Sequence, residues 1–351
     1  MYWYPIGMIF KASKFYSSKS HVLMSFFVIV IGASAGGQDA VCKLLASFPL
    51  KLNAAIFIVL HLSKDGLYSL LTKRLQKCTS LPCVLATNEL TIEQGHVYVA
   101  PVDQHLILKQ DVMYLSKGPA ENRWRPSIDV LFRSAAVYYS GQVIGIILTG
   151  LLYDGTAGMQ AIKKCGGACM VQDPREAAYP SMPQSVIDNT IVDYILPVAE
   201  MEVAIQQIIL NKPVTEVAIP AEIIAETALI EKTSTSILEV SKLGKQTVYS
   251  CPDCGGGLWE IKEGDHIRYR CHIGHAYSEG DLLIQQHESL SATLWVALRM
   301  MEERKNLLIK ISLDEKMKNM QSLAEMHVAD AKELEVHINN LKELLFNVKP
   351  D

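Results

Sequence analysis

Between residues 26 and 200 the apolar positions come in short blocks, not in long amphipathic stretches. Phe27–Ile31, Ala55–Leu60, His96–Val99, Val143–Leu148, Ala168–Val171 and Tyr194–Leu196 are mostly rich in β-branched residues and of a length that suits buried strands. Between them lie segments with helical spacing: Gly37–Ser47, Gly66–Cys78, Ser127–Tyr139, Ala157–Lys164 and Pro183–Asn189. Strands alternating with helices predict a doubly wound, mostly parallel sheet covered on both faces. This is a three-layer αβα, Rossmann-like α/β domain over residues 26–205. The pattern around Leu106–Leu115 predicts a hairpin inserted in it, and Ala199–Leu210 a closing helix.

Beyond residue 205 the pattern changes. Pro213, Pro220 and the Thr/Ser-rich run from Lys232 to Ser236 mark a linker over 206–247, with one helical piece near Ala221–Ile230. Residues 248–280 are a compact Cys/His/Gly-rich module. From Glu279 to Lys349 there is no proline and one glycine. This C-terminal helical segment, 281–351, reads as one long helix or a helical hairpin. Leu334, Ile338, Leu341 and Leu345 form a 4-3-4 seam over two heptads, short support for a coiled coil.

The first 25 residues are set apart as an N-terminal extension. Lys11, Lys14 and Lys19 precede the apolar run Val22–Ile31 and then Ala33-Ser34-Ala35, which imitates a secretory leader with its cleavage site. The preferred reading is a buried strand entering a glycine turn, because cleavage there would cut through the best motif in the chain. Met24 is an alternative start.

Composition narrows the function classes. Hydrophobic residues at 49% and charged residues at 20% allow a large core and exclude global disorder. With 33 Lys and Arg against 37 Asp and Glu, the net charge of −4 argues against a nucleic-acid partner. Segments long and apolar enough to span a bilayer are absent, so membrane insertion is not expected. The eight cysteines do not read as a disulfide framework. Their thiol usage points to a reducing, cytoplasmic compartment.

Gly32-Ala33-Ser34-Ala35-Gly36 matches the G-x-S-x-G nucleophile elbow, between a strand and a helix as that motif requires. Ser34 Oγ would be exposed there, with backbone N–H groups nearby for an oxyanion. The motif alone also fits a glycine turn made for packing. The dinucleotide fingerprint fails, because Ser34 stands at its middle glycine. A base and its orienter belong at other strand ends. His61 follows Ile56–Leu60, and Asp154 follows Val143–Leu148. The order Ser, His, Asp differs from that of α/β-hydrolases.

Residues 26–200 resemble the catalytic domain of CheB-type protein-glutamate methylesterases. The matching segments are Val30-Ile-Gly-Ala-Ser-Ala-Gly-Gly, Leu60-His-Leu, Gly95-His-Val-Tyr-Val-Ala-Pro, Arg125-Pro-Ser-Ile-Asp-Val-Leu-Phe, Leu148-Thr-Gly with Asp154-Gly, and Tyr179-Pro-Ser-Met-Pro. The resemblance implies a triad of Ser34, His61 and Asp154. It implies hydrolysis of glutamate γ-methyl esters on methyl-accepting receptors, with release of methanol, and deamidation of receptor glutamines as a related activity. Backbone N–H groups of Ala35 and Leu151 would hold the oxyanion, and Arg125 would touch an acidic substrate. Alternatives are a related hydrolase on another ester or amide, and a non-catalytic interaction protein that keeps the fold. Two departures stand out. The receiver domain that usually precedes the esterase has no room in about 25 residues, and the usual Gly-Met-Gly turn reads Gly150-Leu151-Leu152.

Cys251-Pro-Asp-Cys254 resembles a zinc knuckle, and Cys271 with His275 or His272 follows after a gap. Cys251, Cys254, Cys271 and His275 make the favoured set: a closed tetrahedral site for structural zinc. Glu260, Glu263, Asp265 and Glu279 oppose a nucleic-acid ribbon. Cys165 and Cys169 read as core residues. The helical segment offers a seam for a receptor bundle, for the esterase domain of the same chain, or for a homodimer.

Overall fold

The computed structural model describes residues 26–62, 68–211, 217–230, 237–263 and 266–347. The N-terminal extension lies outside the described residues, as do Gly66, Leu67, Pro213, Asp265 and the run from Lys232 to Ser236.

In chain order the α/β region comprises β1 (Phe27–Ala33), α1 (Gly37–Ser47), β2 (Ala54–Leu60), α2 (Tyr68–Cys78), β3 (Cys83–Leu85), β4 (Leu90–Thr91), β5 (Val97–Val99), β6 (His105–Lys109), β7 (Val112–Ser116), α3 (Ile128–Tyr139), β8 (Val143–Ile147), α4 (Thr156–Lys164), β9 (Ala168–Gln172), α5 (Ser181–Asn189), β10 (Tyr194–Leu196) and α6 (Val198–Asn211). Seven strands form one parallel sheet in the order β10-β9-β8-β1-β2-β5-β3. The predicted hairpin is β6–β7, joined by β4 in a separate antiparallel sheet. The short edge strand β3 carries no apolar run long enough to announce it.

Strands β1, β2, β8 and β9 are buried along their whole length, as strands covered on both faces must be. Alternate residues feed two cores. Val28, Val30, Phe57 and Val59 pack with Leu131, Phe132, Met159 and Ile162 of α3 and α4. Ile29, Ile31, Ile56 and Ile58 pack with Val41, Leu44, Met201 and Ile205 of α1 and α6. Cys165 and Cys169 are buried in the first of these cores, as expected of packing residues. Burial pushes the Cys165 thiol up to about 12. The all-thiol reading needs one correction: Cys42 of α1 and Cys78 of α2 are joined in a disulfide. Their helices lie side by side, a proximity the sequence spacing of 36 residues does not reveal.

The chain continues with α7 (Ala221–Ile230), α8 (Ile237–Val240), β11 (Lys245–Ser250), β12 (Gly257–Glu263), β13 (His266–Cys271) and β14 (Ala276–Ser278). The four strands form one sheet in chain order. Two helices follow, α9 (Glu279–Met317) and α10 (Gln321–Asn347). They form a hairpin within a second compact unit. Ala324, Ala331 and Ile338, seven residues apart, are buried on α10, as is Leu298 on α9. The seam therefore has an intramolecular partner. Glu302 binds Lys342 across the hairpin and Lys305 on its own helix, both at 2.8 Å.

Candidate active site

The register of three central strands brings the expected residues together. Ala33 pairs with Leu60, so Ser34 and His61 leave adjacent strand ends at one level. His61 N donates to Ala33 O at 3.0 Å, and Ser34 N donates to Thr149 O at 3.0 Å. The chain turns sharply after Ser34 because Gly36 takes a left-handed conformation, φ 71°, immediately before α1. On the other side Gly150 packs against the serine. A Cβ there would lie 2.8 Å from Ser34 Cβ, so only glycine lets the 150–155 turn approach this closely. Thr149 Oγ1 donates to Ala35 O at 3.1 Å and accepts from Tyr179 N at 2.8 Å, fixing the elbow to the α5 approach.

His61 Nε2 stands 2.9 Å from Asp154 Oδ2, with both side chains buried. Neither ring nitrogen has a partner in good hydrogen-bond geometry among the described residues, so the Nε2–Asp154 approach is a close contact whose angle is not that of an aligned hydrogen bond. Asp154 is held from several directions. Asn122 Nδ2 (2.9 Å) and Ser127 Oγ (2.8 Å) donate to Oδ1, while Ile128 N (2.7 Å) donates to Oδ2. Asp129 N reaches Oδ1 at 3.3 Å. The carboxylate thus caps α3, where free N–H groups and the helix dipole favour negative charge. Ser127 occupies the N-cap position of α3, but its hydroxyl donates to the carboxylate and does not accept from a helix N–H. Burial alone would raise the Asp154 pKa, but the His61 ring and the hydrogen bonds from Asn122 and Ile128 outweigh it and hold it below the ordinary aspartate value.

Asp129 lies beside it. Asn122 Nδ2 also donates to Asp129 Oδ2 at 2.7 Å, and Gly155 N (3.0 Å) and Gly158 N (2.6 Å) donate to Asp129 Oδ1. Burial first, and repulsion from Asp154 second, push its carboxyl up to about 7. His105 completes the support. Burial lowers its pKa, which keeps the ring neutral. Nε2–H then donates to Pro119 O at 2.9 Å, and Nδ1 accepts from Ser127 N at 3.2 Å.

Trp124 lies flat on the His61 imidazole, with ring centroids 4.1 Å apart and planes 8° from parallel. Asn122, Trp124 and Asp129 were not singled out by their motifs. The pair Asn122-Arg123 carried the one available signal. Both take positive φ, 50° and 69°, in a type I′ turn closed by Trp124 N to Glu121 O at 2.9 Å.

Sequence and structure comparisons show the family and the fold. Residues 29–205 match the family model described as CheB methylesterase. The chain belongs to the CheB methylesterase family. A putative protein-glutamate methylesterase/protein-glutamine glutaminase of Leptospira interrogans is 39% identical over 190 residues, which cover 52% of this chain and 97% of that protein. A protein-glutamate methylesterase/protein-glutamine glutaminase of Methanosarcina mazei is 37% identical over 190 residues. The match takes in about half the length of each chain, 52% of both. The crystal structure of the Thermotoga maritima CheB methylesterase catalytic domain is matched over its whole length and 53% of this chain, with 31% identity and a TM-score of 0.51.

One departure from the CheB pattern and one expected substrate contact now have a structural account. Leu152, which replaces the second glycine of the usual turn, keeps a left-handed backbone with φ 68°. A left-handed backbone at a side-chain-bearing residue carries strain. Arg125 is tied inward: Nε and Nη2 bind Asp103 Oδ1 at 2.9 and 2.6 Å, and Nη1 donates to the carbonyls of Lys117 and Gly118. That geometry makes it a clasp on the loop before α3.

The expected metal ligands also converge. Cys251, Cys254, Cys271 and His275 each offer a ligand atom, and these atoms all lie within 4.8 Å of one another. His272 instead sets its ring edge-on to Trp259. Three thiols and an imidazole at this separation fit the donor set of a closed tetrahedral zinc site.

Proposed function

We propose that this chain is a serine-dependent protein-glutamate methylesterase with accompanying glutaminase activity. The observation that carries the reading is the buried His61–Asp154 pair at 2.9 Å, level with Ser34 at the adjacent strand end. Ser34 Oγ attacks the γ-carbonyl of a methylated glutamate while His61 Nδ1 takes its proton. Asp154 orients the ring through Nε2. The N–H groups of Ala35 and Leu151 stabilise the oxyanion. Collapse breaks the C–O bond, and His61 returns the proton to the departing methanol. Water then enters by the same route and releases glutamate, freeing Ser34. A glutamine side chain would follow the same steps and lose ammonia.

The substrate would be a methyl-accepting receptor of the helical-bundle kind, acted on in the cytoplasm in a chemotaxis-type signalling pathway. Among the described residues no helix is long and apolar enough to cross a membrane. Arg125, as a clasp, would serve the substrate only through the loop it holds. The helical hairpin exposes Trp295, Met300, Leu307, Leu313 and Phe346, which suits a receptor helix or a second copy of the chain as partner. Cys251, Cys254, Cys271 and His275 would hold one zinc ion, whose contribution is structural because the set leaves no open ligand position.

Methanol release from methylated receptor is the direct test. Wild type should release it, and Ser34→Ala should lower the rate by several orders of magnitude with the fold intact. Undiminished release by that variant refutes the triad. Metal analysis of protein kept reduced should find about one zinc per chain, as a single closed Cys₃His site requires.

A further inference from the structure

The type I′ turn over 121–124 faces two ways. Toward the sheet, Asn122 bridges Asp129 and Asp154, and Trp124 stacks on His61. Away from it, Glu121 and Asn122 are gripped by strands far along the chain. Asn122 N donates to Ala276 O of β14 at 2.8 Å, and Glu121 forms a β-bridge with Ala276. The Glu121 carboxylate binds Arg270 of β13 and, at 2.5 Å, Arg133 of α3. Glu226 of α7 joins them, binding Arg268 at 2.6 Å, Arg270 at 3.2 Å and Arg133 at 3.4 Å. All five charged side chains are buried. Arg270 also donates from Nη1 to Gly274 O at 3.2 Å, so it braces the 271–275 turn as well.

Asn122 tolerates a left-handed backbone, but Arg123 beside it holds one at a cost that its surroundings must offset. The contacts within the turn are few, and its closing hydrogen bonds join only Glu121 and Trp124. Contacts from β13 and β14 over-determine it. No other described element supplies Glu121 with a second arginine or Asn122 N with an acceptor.

We propose that β13 and β14 are a positioning element for the triad: Arg270 and the Ala276 carbonyl hold the 121–124 turn, which sets Asn122 on Asp154 and Trp124 on His61. The cysteine-rich region is then part of the esterase site in structure, not an appendage to it. Arg270, Glu121 and Ala276 are positioning residues, since none touches the reacting atoms. The proposal rests on the esterase reading for its effect on rate, and on geometry alone for its effect on Trp124.

The test uses the full chain with Glu121→Gln and Arg270→Met together, which removes one charge of each sign and leaves no lone buried ion behind. Serine sites are titrated with a fluorophosphonate, and turnover of a small methyl ester is expressed per titrated site. We expect kcat to fall about tenfold or more, as a shift in catalytic geometry does, with KM within about twofold. A second readout is the near-ultraviolet circular dichroism of Trp124, taken as the difference from Trp124→Phe in each background. The stacked indole should give a band in wild type that collapses in the double variant. Unchanged kcat per site together with an unchanged Trp124 band overturns the proposal. Should the double variant not fold, Arg270→Lys keeps the buried charge and drops the guanidinium fork. It should show the same two changes to a smaller degree, and their absence is equally decisive against the proposal. If wild type hydrolyses no ester, the esterase reading fails, while the Trp124 band still decides whether β13 and β14 position the turn.

Discussion

Two buried carboxylate centres lie on either side of the 121–124 turn, and they are stabilised by different means. Asp154 is surrounded mainly by dipoles: two backbone N–H groups, an amide, a hydroxyl and an imidazole. Glu121 and Glu226 are surrounded by three guanidinium groups. A charge held by fixed dipoles needs no partner to move when a proton arrives nearby, which suits a group that must orient a histidine through a reaction. A charge held by full counter-ions is locked. Removing one partner strands the others, which suits a joint between distant parts of the chain. On the esterase reading proposed above, one centre serves chemistry and the other attachment, though a single turn carries residues of both.

The largest expected effects separate the two. Asp154→Asn should lower turnover by ~10⁴, the scale at which a triad carboxylate loses its hold on the histidine tautomer, and should cost about 1–3 kcal/mol of stability. Glu226→Gln should invert that ranking. Its loss strands buried arginines and should cost about 3–5 kcal/mol, with a far smaller fall in turnover per folded molecule. Denaturant unfolding and methanol release, measured on both variants, check this. Equal loss of turnover in the two would show that the centres are not distinct in role.

Much of the dipole-held centre was legible, and little of the ionic one. Ser34, His61 and Asp154 each follow an apolar run, and strand ends at one edge of a parallel sheet necessarily meet. The strands themselves were legible to within about two residues because burial on both faces leaves uninterrupted apolar runs. Ser127 sits at the N-cap of α3 but does not cap it with its side chain. A serine before an apolar helix carries that local signal, but an aspartate 27 residues later takes over the capping. Glu121 and Arg270 are 149 residues apart, and each looks like an ordinary surface residue in its own segment. Only tertiary structure makes them a buried pair. The short strands β11–β14 were missed for a related reason: cysteines, glycines and charges interrupt the alternation that would mark them.

Asp129, beside Asp154, should respond to pH with a sign opposite to that of Asp154 itself and of the ionic centre. It titrates near 7 when folded and near the ordinary aspartate value when unfolded. Between those values the native state keeps a proton that the unfolded chain has released. Its contribution to stability is therefore full at low pH and declines as pH rises toward about 7. Glu121 and Glu226 feel burial, which raises their pKa values, but Arg133 and its fellow arginines outweigh it and lower both. Their contribution is present above the ordinary glutamate value and is lost progressively as pH falls below it toward their lowered native values. Asp129→Asn should remove the decline toward pH 7 and leave the acid-side loss in place. Thermal unfolding of both proteins across pH 3 to 8 checks this. A decline that survives in the variant would assign it to another group.

The smallest effect sharpens what holds Asp154. Ser127 Oγ is one of several donors to the carboxylate and lies fully buried. In Ser127→Ala the remaining donors keep the carboxylate solvated by protein, and the methyl group fills most of the vacated space. Stability should fall by about 1 kcal/mol, the net worth of one such hydrogen bond. Turnover should fall only severalfold, because the Nε2 contact to His61 uses the other oxygen, Oδ2. Loss of a donor to the charged form must raise the Asp154 pKa, so the acid limb of the pH–rate profile should move upward. A measured profile that moves downward, or a loss of turnover as large as that of Asp154→Asn, would place Ser127 in direct contact with the reacting groups. A small upward move would instead confirm that the carboxylate draws its stability from many weak donors, none of them indispensable.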